Sequence, residues 1–154
     1  GQQKIPLSSL EYHHILSAFQ KDFSDKNSIH IANEADFIFK DALEEQVINI
    51  FPGIKGDWRS QEGTAINMCD LHSIYNRQTA LVAAKYICKY FDKEKYGDSN
   101  KNSFGIVVGR GRFQEENVYS KIICKYLDHE QIQYHTKSGI IYLNWSSVME
   151  WRNS

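Results

Sequence analysis

Asp70 and His72 stand two residues apart at the end of the apolar segment TAINMCDL (64–71), and a carboxylate beside an imidazole is a familiar acid–base pair. If that segment is a strand, its side-chain period of two turns both groups to one side of the sheet. The carboxylate would then fix the imidazole tautomer and raise its pKa, as a general base or acid near neutral pH requires. The structural alternative is that Asp70 caps the following loop while His72 packs at a strand end. A second candidate is Gly109-Arg110-Gly111-Arg112, directly after the apolar run FGIVV (104–108). Glycines let backbone approach a ligand, a helix start offers free N–H groups, and two arginines supply forks for phosphate. The segment reads as a cradle for a phosphate backbone, or else as a tight turn whose arginines face solvent. It is not a dinucleotide fingerprint: the third glycine is missing, and Glu115-Glu116 at the helix start would repel a pyrophosphate.

Lys101, Arg77 and Lys137 would extend a basic rim near this loop, or else are solvated surface charge. Tyr75 follows His72 in the same loop and could stack a base, or simply cover the start of the next helix. Trp58, Trp145 and Trp151 read as packing. His13 and His14 are adjacent, so on a helix they face different directions and make a poor metal pair; His30, His129 and His135 have no evident partner. The three cysteines form no CxxC pair, which suits neither a disulfide framework nor a zinc site. They read as reduced thiols, with Cys88 and Cys124 on apolar helix stripes.

The elements that must position these groups follow from periodicity. Tyr12, Ile15, Leu16, Phe19 and Phe23 predict an amphipathic helix capped by Ser8 or Ser9, with Glu11 nearby. A second helix is expected from Asn33 through Phe39, Ala42, Leu43, Val47 and Ile50 to Pro52-Gly53, with Glu34 and Asp36 in its first turn. The two form a helical hairpin with an acidic outside, either an interaction surface or an extension completing the core of the next domain. After the 64–71 strand, a helix is expected over 76–93, with Ala80, Ala83, Ala84, Ile87, Cys88 and Phe91 inward and Lys85, Lys89 and Asp92 outward. A polar loop (93–103) leads to 104–108, read as a central strand buried on both faces. A helix over 115–130 and a hairpin of 132–136 and 140–145 around Lys137-Ser138-Gly139 complete the chain. The expected fold class is α/β, a small two-layer sandwich in βαβαββ order preceded by an α-helical hairpin, with its first strands parallel. Parallel strands would bring Asp70, His72 and the GRGR loop to one edge, the usual place for a site in an open α/β sheet.

Composition bounds what such a site can serve. The 154 residues are 42% hydrophobic with a formal net charge of −1, so the chain has a real core and no global field drawing it to nucleic acid. Cut near Ser60, residues 1–60 carry −3 and residues 61–154 carry +2, which makes the second part the better candidate for binding an anion and leaves the first as a helical extension. No apolar run approaches a membrane span and GQQKIPLSSL lacks an apolar signal core, so the expectation is no membrane partner and an intracellular protein, cytoplasmic before organellar or nuclear.

Taken in order, CDLHSIYNRQTALVAAKYICKYF, GIVVGRGRF, VYSKIICKYLDHE and IQYHTKSGIIYLNW resemble the Smr, or small MutS-related, domain over about 63–145. The loop is nearer the GRG form of eukaryotic-type members than the bacterial HGKG form. The resemblance implies a compact α/β sandwich that binds nucleic acid and, in several members, cleaves RNA or nicks DNA. Its LDxH motif falls on Cys69, Asp70, Leu71 and His72, and its HGxG or TGxG loop on Val108, Gly109, Arg110 and Gly111. Cys69 replaces the usual leucine, Ser73 stands where glycine is common, and Val108 cannot supply the bacterial histidine.

The expected activity is an Smr-type endonuclease, RNA before DNA, with Asp70 and His72 catalytic and Gly109, Arg110, Gly111, Arg112, Tyr75 and Lys101 binding nucleic acid. It needs no cofactor on RNA; Mg²⁺ through Asp70 enters only if DNA is the substrate. The alternatives are a non-catalytic module binding RNA, the ribosome or DNA, and a protein-interaction domain acting through the acidic hairpin.

Overall fold

The computed structural model describes residues 7–19, 34–50, 66–98, 100–109 and 117–154. Several sequence-predicted features lie outside them: Phe23, His30, Asn33, Pro52-Gly53, Trp58, the Ser60 boundary, Arg110, Gly111, Arg112 and Glu115-Glu116. The protein is mixed α/β. Among the described residues there are six helices and a four-stranded mixed sheet: α1 (Ser9–Phe19), α2 (Glu34–Glu44), β1 (Met68–Asp70), α3 (Arg77–Tyr90), α4 (Lys93–Tyr96), β2 (Ser103–Val107), α5 (Val118–Glu130), β3 (Tyr134–Lys137), β4 (Ile140–Asn144) and α6 (Trp145–Arg152). Strand order is β1-β2-β4-β3, with β1 parallel to β2 and the other pairs antiparallel. The succession is longer than the βαβαββ expected, because α4 intervenes before β2 and α6 follows β4.

Register sorts the strand side chains into two faces. Cys69, Ile106 and Ile141 are partners in one row and Phe104 and Leu143 in the next, and all five are fully buried. Tyr134 belongs to the same face and donates its hydroxyl to Asp128 of α5 at 2.8 Å, so α5 lies against it. The opposite face carries Met68, Asp70, Val107, Ile140 and Tyr142, half-buried, beside exposed His135 and Lys137. β2 is central as expected, but its second face is only partly covered.

The N-terminal hairpin packs on α3. Ser8 and Glu11 form a reciprocal capping box, each accepting the other's backbone N–H at 3.2 Å, which starts α1. Helix α2 stops at Glu44, short of the expected Ile50. Gln46 takes a left-handed φ of 58°, and the Val47 N–H returns to the Ala42 carbonyl, so the helix closes by a left-handed cap. Ile48 and Ile50 are still buried, so their apolar character reflects packing of the extended chain beyond the helix. One expected outward charge is corrected here: Lys89 of α3 turns inward to pair with Asp36 of α2 at 3.1 Å, with side chains only 10% and 5% exposed. Helix α3 is covered on both flanks, the hairpin on one and α5 on the other, so it is buried nearly all round rather than along one stripe.

The expected loop after α3 holds the short helix α4, whose Lys93 and Tyr96 are buried; the Lys93 ammonium donates to the Asp98 carbonyl. The hairpin turn is the two residues Ser138-Gly139, both at positive φ (54° and 79°), the geometry matched to a right-handed strand twist. Trp145 leaves the predicted strand and opens α6, capped by Asn144, whose side chain accepts from the Ser147 N–H. From α6, Arg152 donates to the carbonyls of Cys88 (2.6 Å), Phe91 (2.8 Å) and Ile87 (3.3 Å), satisfying the open C-terminus of α3. No helix among the described residues is long and apolar enough to cross a membrane.

Candidate functional site

Strand β1 ends at Asp70, and the chain turns immediately. Asp70 Oδ1 accepts the His72 backbone N–H at 2.9 Å, which closes the turn; Oδ2 faces His72 Nδ1 at 3.0 Å. The pair therefore meets as anticipated, by a different device. A side-chain-closed turn folds His72 back onto Asp70, rather than two positions alternating along one strand. The structural alternative is met in one half only: Asp70 does cap the loop, whereas His72 is not packed, its side chain being 78% exposed. The carboxylate selects the tautomer with hydrogen on Nδ1, leaving the Nε2 lone pair to solvent.

Parallel pairing puts Gly109, the first residue of the GRG motif, on the same edge. Asp70 is registered with Val107, and the Leu71 N–H donates to the Val107 carbonyl at 2.9 Å. Gly109 follows two residues later with φ of 85°, a conformation L side chains rarely adopt. The N–H groups of Val108 and Gly109 both donate to the Gly139 carbonyl, at 2.9 and 3.1 Å, tying this strand end to the β3–β4 turn. Arg110, Gly111 and Arg112 lie outside the described residues.

Asn117 is a residue the sequence reading missed. Its Oδ1 accepts from the N–H groups of Tyr119 and Ser120 and caps α5, which starts at Val118, later than the expected 115. Its Nδ2 donates to the Val108 and Gly109 carbonyls, both at 2.6 Å. An Asn one residue before a helical apolar stripe is a cap signal, but its second attachment is tertiary. Replacing Asn117 by Ala is expected to destabilise the protein by about 1–3 kcal/mol, from the lost cap and two unpaired carbonyls. A urea titration would show a lower midpoint at unchanged slope.

Other supports of the edge come from far along the chain. Ile50 accepts the Asp70 N–H at 2.7 Å, Asn49 accepts the Ser73 hydroxyl at 2.9 Å, and Tyr119 donates its hydroxyl to the Ile74 carbonyl at 2.5 Å. Tyr75 is exposed, with its ring stacked on His13 of α1. Arg77 is exposed at the start of α3. Lys137 shares a register row and face with Asp70 through Val107 and Ile140, roughly 14 Å across three strand spacings. Lys101 is not brought to this edge: it precedes β2 at the opposite end of the strand, beside Asn102, Trp145 and Ser146 in a separate cleft of about 670 Å³.

Set against protein families, curated proteins and solved structures, the chain has no significant match in any of the three. Its chemistry has to be read from its own geometry. Next to Gly109 opens a cleft of about 520 Å³, lined by Asn117, Ser120, Lys121, Cys124, Lys137 and Gly139 among others, so the edge continues into a basic concavity. The cysteines supply no nucleophile: burial raises the pKa of Cys69 and Cys124, and pushes Cys88 up to about 12, so all three remain thiols near neutral pH. Both Asp70 oxygens are committed to His72, and among the described residues no three His, Cys, Asp or Glu side chains are grouped to hold a metal ion. Among the described residues, no second carboxylate joins Asp70 to hold a Mg²⁺ ion.

Proposed function

We propose that this protein is an Smr-type endonuclease acting on RNA, built as a small two-layer α/β sandwich whose parallel strand ends form the active edge. The single observation carrying the proposal is the Asp70–His72 couple: a carboxylate 3.0 Å from Nδ1 of an imidazole that is otherwise open to solvent. In this scheme His72 Nε2 removes the proton from a ribose 2′-hydroxyl, and the 2′-oxygen attacks the adjacent phosphorus. The P–O5′ bond breaks, and the departing 5′-oxygen takes a proton from water. Asp70 stabilises the imidazolium as it forms, and Arg110 with Arg112 neutralise the phosphate. The chemistry consumes no metal, and its products end in a 2′,3′-cyclic phosphate and a 5′-hydroxyl.

A non-catalytic module binding RNA, the ribosome or DNA is the second reading, and Val108 favours it. Its side chain is buried at the position where bacterial Smr loops carry histidine, so this loop contributes no proton donor there.

Incubating the protein with labelled RNA and with supercoiled DNA, each in EDTA and in Mg²⁺, separates the two. Cleavage of RNA in EDTA with cyclic-phosphate ends supports the nuclease. Salt-sensitive binding without cleavage supports the module. Under either, Arg110→Ala with Arg112→Ala should reduce the salt slope on single-stranded RNA by about 1.4, two contacts at roughly 0.7 each. An unchanged slope removes the loop from the binding surface.

A further inference from the structure

Tyr75 is the aromatic side chain nearest in sequence to His72, and it is 62% exposed in the loop between β1 and α3. Exposed tyrosines usually sample several rotamers, but this one is backed. Its ring lies on the imidazole of His13, centroids 4.4 Å apart and planes 29° from parallel. His13 is 1% exposed and comes from α1, more than sixty residues earlier in the chain. Its own plane is fixed from below: Nδ1 bonds the Ser9 carbonyl at 2.6 Å, and the His13 carbonyl accepts the Thr79 hydroxyl of α3 at 3.4 Å. Nδ1 is engaged by Ser9, whereas Nε2 is buried without a hydrogen-bond partner among the described residues. Hydrogen bonding at that nitrogen therefore gives no reason for an imidazole here. Its stacking under Tyr75 does.

We propose that Tyr75, held on the buried His13 ring, is a preformed platform for one nucleobase of a single-stranded RNA whose phosphate lies at His72. The proposal rests on the nucleic-acid reading and extends it: the N-terminal helical hairpin supplies half of a base-binding element, and the site is incomplete without it. One face of the tyrosine is taken by His13, leaving the other for a flat ligand. Because the plane is set before binding, little side-chain freedom is lost when a base arrives. Stacking of this kind tolerates any base, so the platform confers strandedness rather than sequence: a base inside a duplex cannot present its face. His72 lies three residues before Tyr75 in the same loop, in the turn that Asp70 closes, and the proposal puts the phosphate of the stacked nucleotide there. His13 is a positioning residue here, acting through Tyr75.

The test uses the full chain and a short 2′-O-methyl RNA, which cannot be cleaved through its 2′-oxygen, carrying one 2-aminopurine whose fluorescence falls on stacking. Wild type should quench the probe. Tyr75→Ala should bind about 5- to 150-fold more weakly and lose the quenching, while Tyr75→Phe keeps both. His13→Ala should lose part of the quenching, and His13→Phe, which restores a flat ring, should recover it to within about threefold of the wild-type affinity. A Tyr75→Ala protein that binds and quenches like wild type overturns the platform while leaving the nuclease reading intact. Equal loss in His13→Ala and His13→Phe, with unchanged circular dichroism, overturns the role of His13. RNA that fails to bind wild type at any salt concentration overturns both readings together.

Discussion

RNA cleavage by the Asp70→Asn protein is expected to fall by about 10³- to 10⁴-fold while RNA affinity stays within about twofold. Asparagine has nearly the size of aspartate, and its Oδ1 can still accept the His72 N–H, so the turn closes as before. Its amide N–H₂ then faces Nδ1. The imidazole answers by placing its hydrogen on Nε2, the nitrogen that accepts the 2′-hydroxyl proton in the proposed scheme. The couple keeps its geometry and loses its base. His72→Ala should cost about 10²- to 10⁴-fold, and adding Asp70→Asn to it should cost little more, because the two residues act as one unit. Single-turnover cleavage of the three proteins, with binding measured in parallel, checks this. Full activity in Asp70→Asn would remove tautomer selection from the mechanism.

Loss of the Asp36 carboxylate should be strongly destabilising. Asp36→Ala is expected to cost about 3–5 kcal/mol, because it strands the Lys89 ammonium between α2 and α3 without its counter-charge. The Tyr90 hydroxyl, which donates to the same oxygen at 3.0 Å, loses its acceptor too. Burial, then the Asp36 charge, already raises the Tyr90 pKa, so its phenol remains a neutral donor throughout the ordinary pH range. Replacing the pair by apolar residues, Asp36→Leu with Lys89→Met, should recover most of the loss, since a well-packed apolar pair carries no desolvation cost. Urea titrations of the single and double variants decide it. A single-variant loss below about 1 kcal/mol would mean that the pair is effectively solvated.

The same pair shows where sequence reading stops. The apolar stripes of α1, α3 and α5 were legible because helical periodicity records which face is buried, and the strands were legible as short apolar runs. Lys89 and Asp36 look like solvent charges in any one-dimensional pattern, and only the packing of one helix on another turns them inward. Helix α6 was hidden for a related reason. Its stripe is short, and Trp145 continues the hydrophobic run of β4 without a break, so Asn144 was the one available stop signal. At the candidate site, Asp70 and His72 were readable as a couple from their spacing, although a local turn rather than strand alternation brings them together. The residues that hold that turn in place, His13, Asn49, Ile50 and Tyr119, reach it from remote positions, and no spacing rule connects them.

Strand β1 stands at the margin of the sheet, where unpaired backbone groups invite a strand from another molecule. The Ile50 carbonyl takes the Asp70 N–H and the Asn49 carbonyl takes the Ser73 hydroxyl, so the chain leaving the helical hairpin occupies part of that margin. The opposite margin, β3, carries exposed His135, Thr136 and Lys137, whose polarity and charge discourage pairing. The segment that steadies the Asp70 turn thus also guards against aggregation. A version of this protein trimmed back to β1 would leave an open edge ending in its candidate catalytic carboxylate, and the clumping that follows would occlude the very groups an assay of the trimmed form sets out to measure.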